Sequence, residues 1–279
     1  MRCLLAAICC PKSELHANLG AHLRLIGDAR AAGCDLVLFP EMSLTGSADP
    51  AVRPEQLIPL DHDAVRRLAA ATGIPGVPGV AACFGIAERG ADGEPYITQV
   101  VASGGGIVGV QRKRHLGEGE EAFRPAPRGA GVFGIAGTAV GVAICAEAGY
   151  DEPFDDAAAS GAGVMLFPAA PGLYGPRRIS ESSWRRGFAW WEESSLGDAA
   201  RHARRCGLWV AQAGQAGATE DEDFPGLAAL TAPDGTVTAR LPDWRPGTLV
   251  VDIPANHGGR GFMIRQGCGC PGDENPDGS

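Results

Sequence analysis

Three side chains able to take part in nucleophilic chemistry each stand directly after a short apolar run. Glu41 follows DLVLFP, so a carboxylate emerges at a strand end among Pro40 and the turn-forming Ser43, Thr45 and Gly46. Lys113 leaves VGVQR beside Arg112, Arg114 and His115. Like charge there disfavours its ammonium form and a nearby glutamate would restore it, a tuning suited to a proton donor or an oxyanion partner. Cys145 ends TAVGVAI and precedes a helix expected to start near Pro153, a sharp strand-to-turn exit that exposes a side chain at a sheet edge. A thiolate at such a place is a strong nucleophile when cations or backbone donors stabilise it. Taken one at a time, the three also suit a solvated loop glutamate, a solvated lysine and a buried structural thiol.

The elements that must position these residues read as an α/β domain. Short apolar runs alternate with longer amphipathic stretches. Strands are expected at Cys3–Cys9, Asp35–Phe39, Val80–Ala87, Val108–Gln111, Ala139–Ile144 and Val164–Phe167, among others. Helices are expected over Glu14–Ala32, Asp61–Thr72, Phe154–Ser160 and Leu196–Cys206. In the first helix Leu15, Leu19, His22, Leu23 and Ile26 form one apolar face, and Gly33 is the stop. Gly104-Gly105-Gly106 and the Asp234-Gly235 pair each read as a hairpin turn. No repeat or linker divides the chain, so one domain is expected over residues 1–256, with a loose Gly-rich tail over residues 257–279.

Composition narrows the function classes. The 279 residues carry 24 Lys+Arg against 33 Asp+Glu, a net charge of -9, which disfavours nucleic acid as a partner. The N-terminal MRCLLAAICC is too short an apolar run to span a bilayer and reads as a buried first strand instead of a signal peptide. No membrane association is expected, and cytoplasmic placement with reduced thiols follows from that choice.

In the order Glu41, Lys113, Cys145 the flanking segments resemble the nitrilase, or carbon-nitrogen hydrolase, superfamily. LVLFPEMSLTG is similar to its glutamate motif, VQRKRHLGEGEEAFRP to its lysine motif and GVAICAEAGYDEPFDDAAASGAGVMLFPAA to its cysteine segment. LWVAQAGQAG and PDGTVTARLPDWRPGTLVVDI are similar to its last core strands, so the likeness covers about Met1 to Ile253.

The resemblance implies a four-layer α-β-β-α sandwich that pairs into a homodimer or higher homo-oligomer. It implies hydrolysis of a non-peptide C–N bond in a small amide, carbamoyl or nitrile substrate, amide chemistry being commonest, with no metal or organic cofactor needed. Glu41 would be the general base, Cys145 the nucleophile that forms a thioester, and Lys113 with the Ala146 N–H the oxyanion donors. A further glutamate from the lysine loop would orient substrate or support the lysine. Glu118, Glu120 and Glu121 compete for that place, with Glu121 preferred for its closeness to Phe123-Arg124-Pro125 and Glu120 second. The chain departs from the family at Ala146-Glu147, where many members have an aromatic residue and an aspartate, and at Arg205-Cys206, which replaces a common Glu-Asn pair.

Other readings compete. Cys3, Cys9, Cys10, Cys268 and Cys270 would be the ligands of a metal-binding module, but their spacings do not fit paired C-x-x-C sites. The glycine run lacks the spacing of a phosphate loop. A catalytically silent binding or scaffold subunit of the same family is the alternative to an enzyme. Pro171–Trp191 is expected to act as a pocket loop. Arg177 and Arg178 would hold a substrate carboxylate there, and its aromatics would line an apolar slot or pack at an oligomer interface.

Overall fold

A computed structural model describes residues 1–73, 79–129 and 131–254. The tail expected from residue 257, with Cys268 and Cys270, lies outside the described residues. The first half runs β1 (Arg2–Ala7), α1 (Leu15–Ala31), β2 (Leu36–Leu38), α2 (Asp63–Ala71), β3 (Ala81–Arg89), β4 (Pro95–Ser103) and β5 (Gly106–Arg112). The second runs β6 (Val132–Ile135), β7 (Thr138–Val142), α3 (Glu152–Ala159), β8 (Val164–Ala169), α4 (Glu181–Cys206) and β9 (Trp209–Gly214). The small pair β10 (Ala216–Ala218) and β11 (Asp223–Pro225) follows, then β12 (Ala228–Thr231), β13 (Val237–Arg240) and β14 (Gly247–Asp252).

Two six-stranded sheets result, ordered β14-β1-β2-β3-β4-β5 and β13-β12-β9-β8-β7-β6. Strand alternation explains how they stack, because a strand buried on both faces sends successive side chains to opposite sides. In β1, Cys3, Leu5 and Ala7 face one core cluster and Leu4 and Ala6 another. In β8, Val164 and Leu166 join the cluster of Cys3 and Leu5, whereas Met165 and Phe167 face a third. The shared cluster lies between the sheets. The second packs under α1 and α2, and the third under α3 and α4. The layers are therefore α-β-β-α, as the family resemblance implied.

The functional side chains leave this frame at one end. β1, β2 and β3 are parallel to one another, as are β7, β8 and β9. β5 pairs antiparallel to β4, which pairs antiparallel to β3, so β5 ends where β2 and β3 end. Glu41, Lys113 and Cys145 thus all follow the carboxyl ends of strands. Ala170 follows β8 and Gln215 follows β9 in the same way. An Ile8–Gln215 bridge, with the Ala216 N–H donating to the Ile8 carbonyl at 2.9 Å, stitches the two sheets together there.

The largest departure from expectation is α4. It begins at Glu181, fifteen residues before the expected Leu196, so half of the expected pocket loop is helix. Ser180 caps it, accepting from the Ser183 N–H, and Gly207 ends it at φ 68°. Gly187 and the Trp190-Trp191 pair interrupt the polar-apolar rhythm that would have revealed the first half. Both hairpins form as expected, with Ser103 paired to Gly106 and Ala232 bonded to Thr236.

One backbone approach limits what β3 can carry. A Cβ on Gly85 would overlap the amide nitrogen of Met42 and lie 2.8 Å from the Glu41 carbonyl carbon. Gly85→Ala is therefore expected to destabilise the fold by about 3 kcal/mol through overpacking against backbone. A denaturant midpoint equal to that of the parent protein would show that the turn is not confined as described.

Candidate active site

Glu41 sits on a turn that continues the ladder of β3. The Leu44 N–H donates to the Gly85 carbonyl (2.9 Å), the Gly85 N–H to Ser43 Oγ (3.2 Å) and the Ala87 N–H to Thr45 Oγ1 (2.9 Å). His22 buttresses it from α1, stacked on Phe39 with ring centroids 4.1 Å apart. Its Nδ1 lies 2.7 Å from the Asn18 carbonyl and its Nε2 2.9 Å from Ser43 Oγ. A carbonyl only accepts, so Nδ1 carries the proton and Nε2 accepts from Ser43. Burial lowers the His22 pKa to about 4, keeping the ring neutral. Met42 takes φ 46°, in the left-handed region, and so turns the chain sharply after the glutamate.

The glutamate and the lysine meet in the interior. Both side chains are fully buried, with Lys113 Nζ 2.7 Å from Glu41 Oε1. The same ammonium donates to Glu120 Oε1 at 2.7 Å, and Glu120 Oε2 accepts from the Gly117 N–H at 2.6 Å. Glu41 Oε2 accepts from the Ala170 N–H at 3.0 Å. An ammonium has three donors, so two are committed and one is left. Gln215 fixes the glutamate backbone, its Nε2 donating to the Glu41 carbonyl at 3.1 Å.

Cys145 begins a short 3-10 turn, Cys145–Gly149, with φ 46°. It is partly exposed to a cavity of about 590 Å³ that Lys113, Glu120 and Ala146 also line. Glu147, buried below it, holds the Cys145 turn and the lysine loop together. Its Oε2 accepts from the Ile144 N–H (2.7 Å) and its Oε1 from the Arg114 N–H (2.8 Å). One carboxylate therefore fixes the backbone next to Cys145 and next to Lys113. The amide nitrogen of Ala146, at the start of the turn, belongs to the N–H groups that a helix start leaves without an internal partner.

Burial and charge set the protonation states. Burial raises the Cys145 pKa well above its usual value, Glu41 adds to the rise, and Lys113 opposes it. The group is thus a thiol in the resting protein. Burial also raises the Glu41 pKa and the charge of Glu120 reinforces it, against Lys113 and a hydrogen bond from Cys145. Burial lowers that of Lys113, but the charges of Glu41 and Glu120 outweigh it and the ammonium is held.

The structure revises several expectations. Glu120, not Glu121, faces Lys113; Glu121 turns back to accept from the Gly119 N–H at 3.0 Å. The loop closes on itself at Gly117, which points the earlier glutamate inward. Glu118 contributes its carbonyl to the Tyr174 hydroxyl. The basic neighbours of Lys113 do not tune it, because each is paired elsewhere: Arg112 with Glu88, Arg114 with Asp156 at 2.8 Å and His115 with Glu152 at 3.2 Å. Arg177 and Arg178 do not line the cavity of Cys145. Arg177 is bonded to Asp223 and to the Thr219 and Glu220 carbonyls, and Arg178 to those of Leu173, Tyr174 and Pro176. Of the segment's aromatics, Tyr174, Trp190 and Trp191 line the cavity and Phe188 is core. Among the described residues no group of three or more His, Cys, Asp or Glu side chains could hold a metal ion, and no helix is long and apolar enough to cross a membrane.

Known proteins resemble this chain along most of its length. The glutamine-dependent NAD(+) synthetase of Xylella fastidiosa is 28% identical over 261 residues, covering 90% of this chain but 44% of that protein. The enzyme of the same name from Rhodobacter capsulatus is 29% identical over 237 residues, 80% of this chain and 38% of its own length. This chain thus spans less than half the length of these relatives. Among solved structures, an amidase from Nesterenkonia sp. AN1 superimposes with a TM-score of 0.77 at 25% identity, over 91% of this chain and 93% of that one. A variant of that amidase has been seen with the acetamide moiety of fluoroacetamide added covalently at its active-site cysteine. The sequence pattern of the carbon-nitrogen hydrolases matches residues 4–259, and this chain belongs to that family.

Proposed function

We propose that this carbon-nitrogen hydrolase cleaves a small carboxamide through a thioester on Cys145. The observation that carries the reading is the buried Lys113 ammonium, bonded at 2.7 Å to both Glu41 and Glu120 beside the cavity of Cys145. Such a charged cluster is costly to bury and gives a plain core nothing. Its worth lies in chemistry. It also speaks against a silent scaffold subunit, which would need neither the buried charges nor the left-handed Cys145.

In this reading Glu41 takes the Sγ proton as the sulfur attacks the carbonyl carbon. The remaining Lys113 donor and the Ala146 N–H stabilise the oxyanion. Glu41 returns the proton to the departing nitrogen, so ammonia or an amine leaves and the thioester remains. Water then attacks, Glu41 accepts its proton, and the acid is released as the thiol reforms. Glu120 acts through Lys113, holding the ammonium in place. Carboxamides are favoured over N-carbamoyl compounds and nitriles because the Nesterenkonia neighbour is an amidase and glutamine, named by the other relatives, carries a carboxamide.

Ammonia release from carboxamides, N-carbamoyl compounds and nitriles tests this directly. Cys145→Ala is expected to lower kcat on the order of a million-fold, and Lys113→Ala by roughly a hundred- to thousand-fold. No release from any compound, with Cys145 also inert to alkylation, would favour the scaffold alternative.

The pH profile supplies a second prediction. Glu41 must be ionised to act as base, and its pKa is raised, so activity falls as pH drops through a value above the ordinary 4.5. Glu120→Gln removes a charge that raises this pKa, so the acid limb of kcat/KM should move to lower pH. A limb that stays put or moves up would sink the assignment of Glu41 as the titrating base.

A further inference from the structure

Helix α4 grips the far end of the Cys145 turn, opposite the end that Glu147 holds. The last carbonyls of a short helical turn have no partner inside it. In the turn Cys145–Gly149 the Ala148 carbonyl accepts twice from α4, from His202 Nε2 at 2.8 Å and from Arg201 Nη2 at 3.0 Å. Both donors converge on one oxygen, so the two nitrogens lie 3.0 Å apart. The other ring nitrogen fixes where the His202 proton sits. Nδ1 faces Arg205 Nη2 at 3.4 Å, and a guanidinium only donates, so Nδ1 accepts and Nε2 carries the proton. Burial lowers the His202 pKa against the bond to Ala148, the charges of Arg201 and Arg205 add to the fall, and the ring stays neutral.

The two donors are themselves held. The fully buried His202 ring lies flat on Phe154 of α3, with centroids 3.7 Å apart and planes 1° from parallel. Arg201 is paired with Asp198 at 3.2 Å and with Asp151. Arg205 reaches Asp151 Oδ2 at 3.1 Å and donates to the Asp151 carbonyl at 3.0 Å. One helix thus fixes Ala148 and Asp151, on either side of the end of the turn. Cys145, Ala146 and Ala148 belong to the same five-residue turn, so their peptide planes cannot rotate independently. Cys145 holds φ 46°, a conformation that persists only where the surroundings enforce it. Glu147 fixes the Ile144 N–H before the turn, and the α4 donors fix the carbonyl near its end. The amide of Ala146 lies between these two anchors, and an oxyanion donor works only when its aim is set in advance.

We propose that His202 and Arg201 are positioning residues which, by holding the Ala148 carbonyl, keep the Ala146 N–H aimed at the oxyanion. This rests on the carboxamide reading above, in which that N–H is an oxyanion donor. His202→Phe keeps a flat ring against Phe154 and removes the donor, whereas His202→Gln returns an N–H at similar reach. On a carboxamide that the parent protein turns over, His202→Phe is expected to lower kcat about tenfold with KM unchanged, and His202→Phe combined with Arg201→Met about a hundredfold, the scale of a misplaced catalytic group. His202→Gln should recover most of the loss. The rate at which iodoacetamide alkylates Cys145 should stay at the parent value throughout, because displacement at a saturated carbon develops no oxyanion. If His202→Phe does not fold, Arg201→Met alone, at the more exposed of the two positions, must show the same contrast between turnover and alkylation. A melting temperature that falls while kcat holds would make the contacts structural only and overturn the inference. Alkylation slowed in step with kcat, or a Gln variant no better than the Phe variant, overturns it as well. These outcomes in an active parent leave the carboxamide reading in place; a parent that releases no ammonia from any carboxamide overturns both.

Discussion

The requirement that two carboxylates share one buried ammonium, Glu41 fully buried and Glu120 part-buried at the cavity, governs this structure. Removing one partner from such a buried pair generally costs about 3–5 kcal/mol, because the other charge is left uncompensated. Glu41 and Lys113 are separated by 72 residues in sequence yet lie 2.7 Å apart. Two segments from one sheet must therefore reach a common point, and the Cys145 segment from the other sheet must close over it. The sandwich meets that requirement because β2, β5 and β7 deliver their carboxyl ends to the same edge. Glu120 then supplies a second acceptor to the ammonium without adding another segment, through a loop folded back on Gly117.

The precision of the cluster comes from backbone groups as much as from side chains. Ala170 supplies an amide to Glu41, and Glu147 collects amides from both the lysine loop and the Cys145 turn. A carboxylate that receives backbone N–H bonds from two segments fixes their separation more firmly than a long cation would, because main-chain donors have little rotational freedom. Two residues adjoining or belonging to the site, Met42 and Cys145, take φ 46°. Side chains seldom adopt that region unless the surrounding structure enforces it. Here the enforcement is visible: Gly85 leaves no room for Met42 to relax on one side, and Glu147 holds the amide just before Cys145 on the other.

How much of this the sequence disclosed depends on the range of the interaction. The sheet runs, the hairpins and the strand-end positions of Glu41, Lys113 and Cys145 are local, and the alternation of apolar runs located them. The stacking of two sheets was not readable from the runs, since strands buried on both faces look alike in a sandwich and in one parallel sheet; only the family resemblance implied it. Glu120 was ranked behind Glu121 because proximity along the chain says nothing about which way a glycine-rich loop closes. Arg177 and Arg178 were misread for a related reason: their partners at Asp223 and at loop carbonyls are distant or backbone in kind. Glu147 showed only as a departure from the family pattern, and Ala170 left no signal, because any residue other than proline offers the same amide.

The division of labour within the cavity follows from the same constraint. Strand ends are rigid and carry the charged groups, so they can hold a proton-transfer network but have little freedom to follow the shape of a ligand. α4 stands outside the sheet, and its inward face is built from Trp191, Ser195 and the core residues Ala199 and Ala203. Across from it the turn that begins at Cys145 adds the small Ala146, Ala148 and Gly149. Space is thereby opened beside the thiol and bounded by a helix that supplies no partner to the Lys113 ammonium. A large residue at Ala146 would fill the space between Cys145 and the helix. With alanine there, the helical wall borders the same cavity as Cys145.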